Sequence, residues 1–257
     1  MTAPVAVSER DLRTLLGIVS DGRADLPAEG LPPSLLADLM SLIRCDTVSF
    51  TGVDSGRQQE WFSQDLPPVD ADAGQRAADQ QHWDHYWDFP PACYPDHTGD
   101  LRAILKISDF YSARQWHSSG VYCDHYRPAG LEHELQLCLP AERGLAARPG
   151  RTVRLFFTRG PGPDFSERDR ALLVLLRPHL HQAYLDAERR RHPVPRLTPR
   201  QTDLLRLLAA GHTNTQIARR LGISEGTVRT HLENIYARLQ VSSRGAAVAR
   251  AFPDWVA

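Results

Sequence analysis

Apolar residues recur at helical spacing near the start of the chain, in DLRTLLGIVSDG and again in PPSLLADLMSLIR, and each stretch predicts a short amphipathic helix. Three later stretches, CDTVSFTGVD (45–54), HELQLCLPA (133–141) and RTVRLFFTR (151–159), alternate or run apolar over strand lengths, so a sheet is expected. Helical spacing returns in SERDRALLVLLRPHLHQAYLDAERRR. It places Leu172, Leu173, Leu175, Leu176, Leu180 and Tyr184 on one face, behind an N-terminal cap formed by Ser166 and Asp169. A loop rich in Pro, Asp and Gly near 65–74 and the aromatic, histidine-dense QHWDHYWDFPPACYPDH lie between the strands. Helices, a mostly antiparallel sheet and a long closing helix together predict an α+β first domain.

The pattern breaks at RRRHPVPRLTPRQ, residues 189–201, where prolines and an arginine cluster interrupt two helical runs. This divides the chain into a domain over 1–188, a linker over 189–196 and a second domain over 197–257. Four helices are predicted in the second domain from their punctuation. Thr198, Pro199 and Gln201 open the first, which stops at Gly211; Thr213 and Gln216 open the second, closed by Gly222. Ser224 caps the third, EGTVRTHLENIYARL, and Ser242 or Ser243 opens the fourth.

The second and third of these helices carry Ala218, Gly222 and Val228 at the spacing of a DNA-binding helix-turn-helix. A small residue at 218 lets the helices approach, Gly222 permits positive φ in the turn, and Val228 anchors the third helix on the core. The opposite face of that helix presents Gly226, Arg229, Thr230 and Glu233. The run LTPRQTDLLRLLAAGHTNTQIARRLGISEGTVRTHLENIYARLQVSSR resembles the LuxR-type helix-turn-helix regulators almost continuously. By that resemblance Arg229, Thr230 and Glu233 face bases in the major groove of double-stranded DNA, and Asn214, Thr215, Ser224, Thr227 and Asn234 meet phosphates. It also implies a homodimer. The family usually has Glu where Gln201 and Gln216 stand and Lys where Thr215 stands, so one phosphate contact is missing.

The first domain is similar, through SDFYSARQWHSSGVYCDHYRPAGLEHELQLCLPA and RLFFTRGPGPDFSERDRALLVLLRPHL, to the GAF-like regulatory domains joined to LuxR-type modules in high-GC bacteria. The implied architecture is a GAF-like α+β sensor domain followed by an all-α four-helix DNA-binding domain, and the implied function is ligand-modulated transcription regulation. Trp83, Tyr86, Trp87, Tyr94, Trp116, Tyr122 and Tyr126 either line a pocket for a small-molecule ligand or form an ordinary core. Acyl-homoserine-lactone receptors also hold Trp, Tyr and Asp in this part of the chain, but DFPP does not reproduce their Asp-Pro spacing. A protein-interaction adaptor and a metal or redox sensor are the competing readings of this domain. The sensor reading rests on His82, His85, His97, His117, His125 and His133 falling close to Cys93 and Cys123. Neither cysteine has the setting of a nucleophile, so no enzyme, catalytic residue, cofactor or metal site is assigned.

Charge sharpens the division. From Leu197 onward eight arginines face four acids, and residues 187–196 hold four arginines against Glu188; with a whole-chain net of -1, residues 1–186 carry -8. Positive potential is therefore concentrated on the second domain, where phosphate would be met. The four cysteines stand apart without a C-x-x-C pair, as suits reduced thiols. The N-terminal MTAPVAVSERDLRTLL lacks the basic head and apolar stretch of a signal peptide, and no apolar run approaches the roughly 20 residues of a membrane span. A cytoplasmic protein without membrane association is expected.

Overall fold

The computed structural model describes residues 7–20, 23, 25, 27–68, 83–141, 150–191, 197–239 and 241–252. They fall into two compact units, the first within Met1–Ala141 and Pro149–Glu188 and the second within Arg189–Ala257. In the first unit α1 (Glu9–Ser20) and α2 (Pro33–Ile43) precede β1 (Thr47–Asp54) and β2 (Gln59–Leu66). Next come α3 (Pro90–Thr98), β3 (Ile104–Lys106), the short α4 (Ala113–His117), β4 (His133–Pro140), β5 (Arg151–Arg159) and α5 (Glu167–Arg191).

The five strands form one sheet in the order β2-β1-β5-β4-β3, and every neighbouring pair is antiparallel. Register fixes what each face carries, because paired residues share a side and successive residues alternate. Phe50 opposes Leu155, which opposes Leu137, which opposes Ile104. With Val48, Val153, Phe157, Leu135 and Leu139 they make an apolar face that packs on α1, α2 and α5 as the main core. The predicted capping pair opens α5: the Ser166 backbone N–H donates to Asp169 Oδ2 at 2.9 Å and the Asp169 N–H to Ser166 Oγ at 3.3 Å. Leu172, Leu173, Leu176, Leu180 and Tyr184 are buried as expected, but Leu175 is not. It is half exposed beside Val174, on the flank of the helix that turns away from the sheet.

The other face of the sheet is polar and is nevertheless covered. Thr51, Glu134, Gln136, Thr152, Arg154 and Thr158 all lie there and all are buried. The lid is built from the segments on either side of β3 between Trp83 and Leu131, whose Trp83, Tyr86, Phe89, Ala92, Cys93, Ile107, Trp116 and Val121 form a second apolar cluster with Val53. Alternation in a strand ordinarily marks one face open to water; here both faces are capped. Two strands escaped the sequence pattern. β2 contributes a single buried residue, Phe62, and β3 is three residues long. The loop expected near 65–74 is therefore displaced: β2 continues through Leu66, and residues 69–74 lie outside the described residues.

The second unit contains α6 (Pro199–Ala209), α7 (Asn214–Leu221), α8 (Glu225–Leu239) and α9 (Arg244–Ala251). Each start is capped where its sequence indicates. Thr198 Oγ1 accepts from the Gln201 N–H while Gln201 accepts from the Thr198 N–H, and Thr213 and Gln216 repeat the exchange. Ser243, rather than Ser242, caps α9 through the Ala246 N–H at 3.2 Å. Leu204, Leu205, Leu208, Ile217, Ala218, Val228, Leu232, Ile235, Leu239 and Ala247 close a core of their own.

Candidate nucleic-acid interface and ligand cavity

In the second unit, the turn between α7 and α8 is held as the motif requires. Gly222 lies in the left-handed region at φ 63°, and its N–H bonds the carbonyl of Ala218. Ala218 is nearly buried, at 7% exposure, and Val228 is fully so, which seats α8 on the core by one face. Arg229, Thr230, Glu233 and Asn234 stand on the opposite, exposed face, and the side chains of Arg229, Glu233 and Asn234 bond to nothing among the described residues. Thr230 Oγ1 donates back to the Gly226 carbonyl at 3.2 Å, which leaves its lone pairs and methyl outward.

The positions assigned to phosphate divide into two kinds. Ser224 Oγ accepts from the Thr227 N–H at 3.0 Å and lies 2.8 Å from Thr227 Oγ1, so both hydroxyls build the α8 cap. Thr215 Oγ1 donates to Glu225 Oε2 at 3.0 Å and ties α7 to the start of α8. Asn214, half-buried, and the exposed Asn234 carry no such side-chain bond among the described residues. Two arginines have roles that charge counting does not reveal. Arg200 Nη2 donates to the Leu221 carbonyl at 2.5 Å, and Arg244 Nη2 bonds the carbonyls of Leu208 and His212. Both satisfy carbonyls at helix C-terminal ends, where a cation is also favoured by the helix dipole.

In the first unit, a cavity of about 360 Å³, partly open to solvent, lies between the polar sheet face and its aromatic lid. Ser49, Thr51, Ser63, Asp65, Glu134, Gln136, Phe156 and Thr158 form the sheet side, and His85, Tyr86, Phe89, Ala92, Val121, His125, Tyr126 and Leu131 belong to the lid. Of the aromatic residues expected at a pocket, Tyr86 and Tyr126 line it. Trp83 and Trp116 belong to the apolar cluster instead, where Trp116 Nε1 donates to the Glu132 carbonyl at 3.0 Å. Tyr122 packs at the edge of that cluster and donates to Glu132 Oε2 at 3.1 Å. Trp87 is 45% exposed, and Tyr94 meets Phe110 edge-on. The polar lining, Glu134 and Gln136 above all, was hidden from sequence reasoning: β4 was legible as a strand, but which neighbour covered each side was not.

Arg154, 1% exposed on the same sheet face, is fully engaged. Its guanidinium donates to Thr152 Oγ1, the Ala92 carbonyl and Tyr86 Oη, and lies 3.5 Å from Asp96. Asp96 accepts in turn from Tyr86 Oη at 2.5 Å and from Ser55 Oγ at 2.6 Å. This buried network pins the lid to the sheet. Glu134 accepts from Tyr126 Oη at 2.5 Å, and burial pushes its carboxyl up to about 7. Gln136 Oε1 and Nε2 are buried without a partner among the described residues, as is His125 Nε2.

No group of three metal-ligating side chains comes together among the described residues. His85 pairs with Asp124 at 2.9 Å, His117 with Glu132 at 2.5 Å, and His133 bonds the Gly162 carbonyl, while His97 stacks near Trp87. His82 lies outside the described residues. Burial raises the Cys93 thiol, the reverse of what a nucleophile requires.

Residues 195–251 match the family model for bacterial regulatory proteins of the luxR family. The chain is 46% identical over 80 residues to the "Probable transcriptional regulatory protein SgaR" of Hyphomicrobium methylovorum, a match covering 31% of this chain and 38% of that protein. It is 45% identical over 51 residues to the nitrate/nitrite response regulator protein NarL of Escherichia coli, covering 20% of this chain and 24% of NarL. The chain thus spans well under half the length of these curated relatives, both of which are named as regulators and neither as an enzyme. Among solved structures, Escherichia coli SdiA is similar in fold at TM-score 0.57 and 16% identity, with 94% of this chain and 95% of that one covered. A second SdiA structure, in complex with octanoyl-rac-glycerol, gives 0.56 and 17% over 96% of each chain. The likeness is one of fold, and it does not confirm the GAF-like identity that the resemblance implied for the first unit. It is the C-terminal helix-turn-helix unit of this chain that matches the luxR family of bacterial regulatory proteins.

Proposed function

We propose that this protein is a sequence-specific DNA-binding transcription regulator, acting as a homodimer in the cytoplasm, whose first unit modulates DNA binding by holding a small molecule in its cavity. The observation that carries the first half is the outward face of α8. Arg229, Glu233 and Asn234 stand there unpaired on a helix whose entry angle is set by the Thr213 cap, Gly222 and Val228. Arg229 reads a guanine through its two-pronged donor set, Glu233 accepts from a cytosine amine, and the α8 N-terminus seats a phosphate. Two such helices reach half-sites about one DNA turn apart only if two chains associate. The modulating role is supported by the polar cavity and by the fold shared with SdiA, a protein solved with octanoyl-rac-glycerol bound.

Selection of binding sites from random DNA, followed by gel-shift titration against excess competitor, tests this reading. Arg229→Ala should reduce affinity for the selected site about ten- to hundredfold, matching the roughly 1–3 kcal/mol of one bidentate base contact, with an unchanged circular dichroism spectrum. Weak binding that ignores sequence, equal in wild type and variant, would overturn it in favour of a protein-interaction adaptor.

A further inference from the structure

The chemistry of the cavity narrows what it can hold. Acids line it at Glu60, Asp65 and Glu134, and no lysine or arginine is among its lining residues within the described part of the chain. The nearest buried cation, Arg154, has its guanidinium directed at Thr152, Ala92, Tyr86 and Asp96. A carboxylate or phosphate ligand would therefore enter a site where three acids face only the imidazoles of His85 and His125, an imbalance that desolvation makes worse. The carboxylate is the site's distinguishing polar group. Glu134 uses one carboxylate oxygen for Tyr126 and keeps the second, while Gln136 holds both its amide oxygen and its amide nitrogen, and His125 its Nε2, buried without a partner among the described residues. Glu134 and Gln136 are two apart on β4, on one side of the sheet, so the free carboxylate oxygen and the amide oxygen serve the same volume. Around them Tyr86, Phe89 and Tyr126 offer aromatic surface, and Phe156, half-buried on a central strand, offers an apolar floor.

Carboxylate, unpaired amide and aromatic walls are the partners of a protonated nitrogen: an ion pair, a neutral acceptor and ring faces that attract a cation. We propose that the cavity over the sheet is a receptor site for an organic cation, an amine or amidine on a compact apolar body, with its nitrogen held between Glu134 and Gln136. The proposal rests on reading the cavity as a ligand site. It goes further in naming the charge the ligand carries and the residues that select it. Such a ligand also restores the buried carboxylate, whose ionised form burial otherwise disfavours.

The test uses the full-length chain and a matched set of phenylalkyl compounds of graded chain length, each as the amine, the alcohol and the carboxylic acid. Binding is followed by thermal shift and calorimetry. The amines should bind at least tenfold more tightly than their alcohols, and the acids not at all. Glu134→Gln should erase the preference for amine over alcohol, and a wild-type circular dichroism spectrum shows that the variant is folded. Phe156→Ala should weaken amine and alcohol alike. Alcohols or acids binding as well as amines would overturn the cation assignment and leave the ligand site standing. Binding by no member of the set would overturn both, and an amine preference that survives Glu134→Gln would overturn the role of that residue. DNA binding, measured separately by gel shift, is untouched by any of these results.

Discussion

Glu134 shows how one buried group links fold, pH and ligand. Its carboxyl is raised from an ordinary 4.5 to about 7, first because it is taken out of water, against smaller opposing effects of the Tyr126 hydroxyl bond and the Arg154 charge. Asp65 and His125 line the same cavity from β2 and the lid, so the group sits among both signs of titratable neighbour. The sign follows from proton binding. Between about 4.5 and about 7 the unfolded chain has lost the proton that the folded chain keeps, so this residue's contribution to stability falls as pH rises through that window and is flat above it. The shift corresponds to about 3 kcal/mol. Glu134→Gln keeps an acceptor for Tyr126 and removes the titration. In the absence of ligand, the variant should therefore melt higher than wild type at pH 8 and at a similar temperature at pH 5. Equal melting temperatures at both pH values would show that water reaches the carboxylate. Arg154 is the contrasting case: equally buried, it keeps its charge because Tyr86, Asp96, Thr152 and the Ala92 carbonyl surround it.

At the scale of elements, what could be read from the sequence depended on whether local or distant residues decide the structure. The four helices of the second unit were legible to within a residue because their boundaries are set by caps three positions long: Thr198 with Gln201, Thr213 with Gln216, Ser224 with Thr227. The family preference for Glu at 201 and 216 does not matter to the fold, since an amide oxygen accepts the same backbone N–H. Thr213→Ala should cost about 1 kcal/mol, and Gly222→Ala about 1–2 kcal/mol, because a Cβ is disfavoured at φ 63° even though open space surrounds it. Melting of the separate 197–257 fragment, if it folds alone, or of the full chain otherwise, checks both. A Gly222→Asn variant, which tolerates the left-handed region better, should recover part of the second loss. The sheet was legible in three strands and silent in two, because β2 and β3 owe their place to the neighbours they pair with rather than to their own apolar pattern. The cavity was the least legible feature. Polar residues alternating in β4 and β5 are what an open sheet face would show, and only the folding of the segments on either side of β3 over that face turns Glu134, Gln136 and Thr158 into a buried lining.

For the whole molecule, the distribution of charge limits how the protein can hold DNA. The first 186 residues are net -8, while eight arginines against four acids lie from Leu197 onward. Two of those eight, Arg200 and Arg244, are committed to helix-end carbonyls and are half-buried, so the positive surface offered to phosphate is smaller than the count implies. Thr215 adds to the deficit: where the family usually has lysine, a hydroxyl donates to Glu225. Binding should accordingly draw more on pairing two recognition helices than on charge, and it should show a shallow salt dependence for a regulator of this kind. Thr215→Lys tests the point. An exposed Lys–Glu pair is worth at most about 1 kcal/mol, so Glu225 should not hold the new ammonium back from a nearby phosphate. The slope of log affinity against log salt should steepen by about 0.9 for each added contact, or about 1.8 in a dimer carrying the change twice. Affinity for non-operator DNA should rise with it, while the ratio of operator to non-operator affinity stays level, because phosphate contacts carry no sequence information. An unchanged slope would place residue 215 away from the DNA backbone, and a doubling near 1.8 rather than 0.9 would show that two chains bind together.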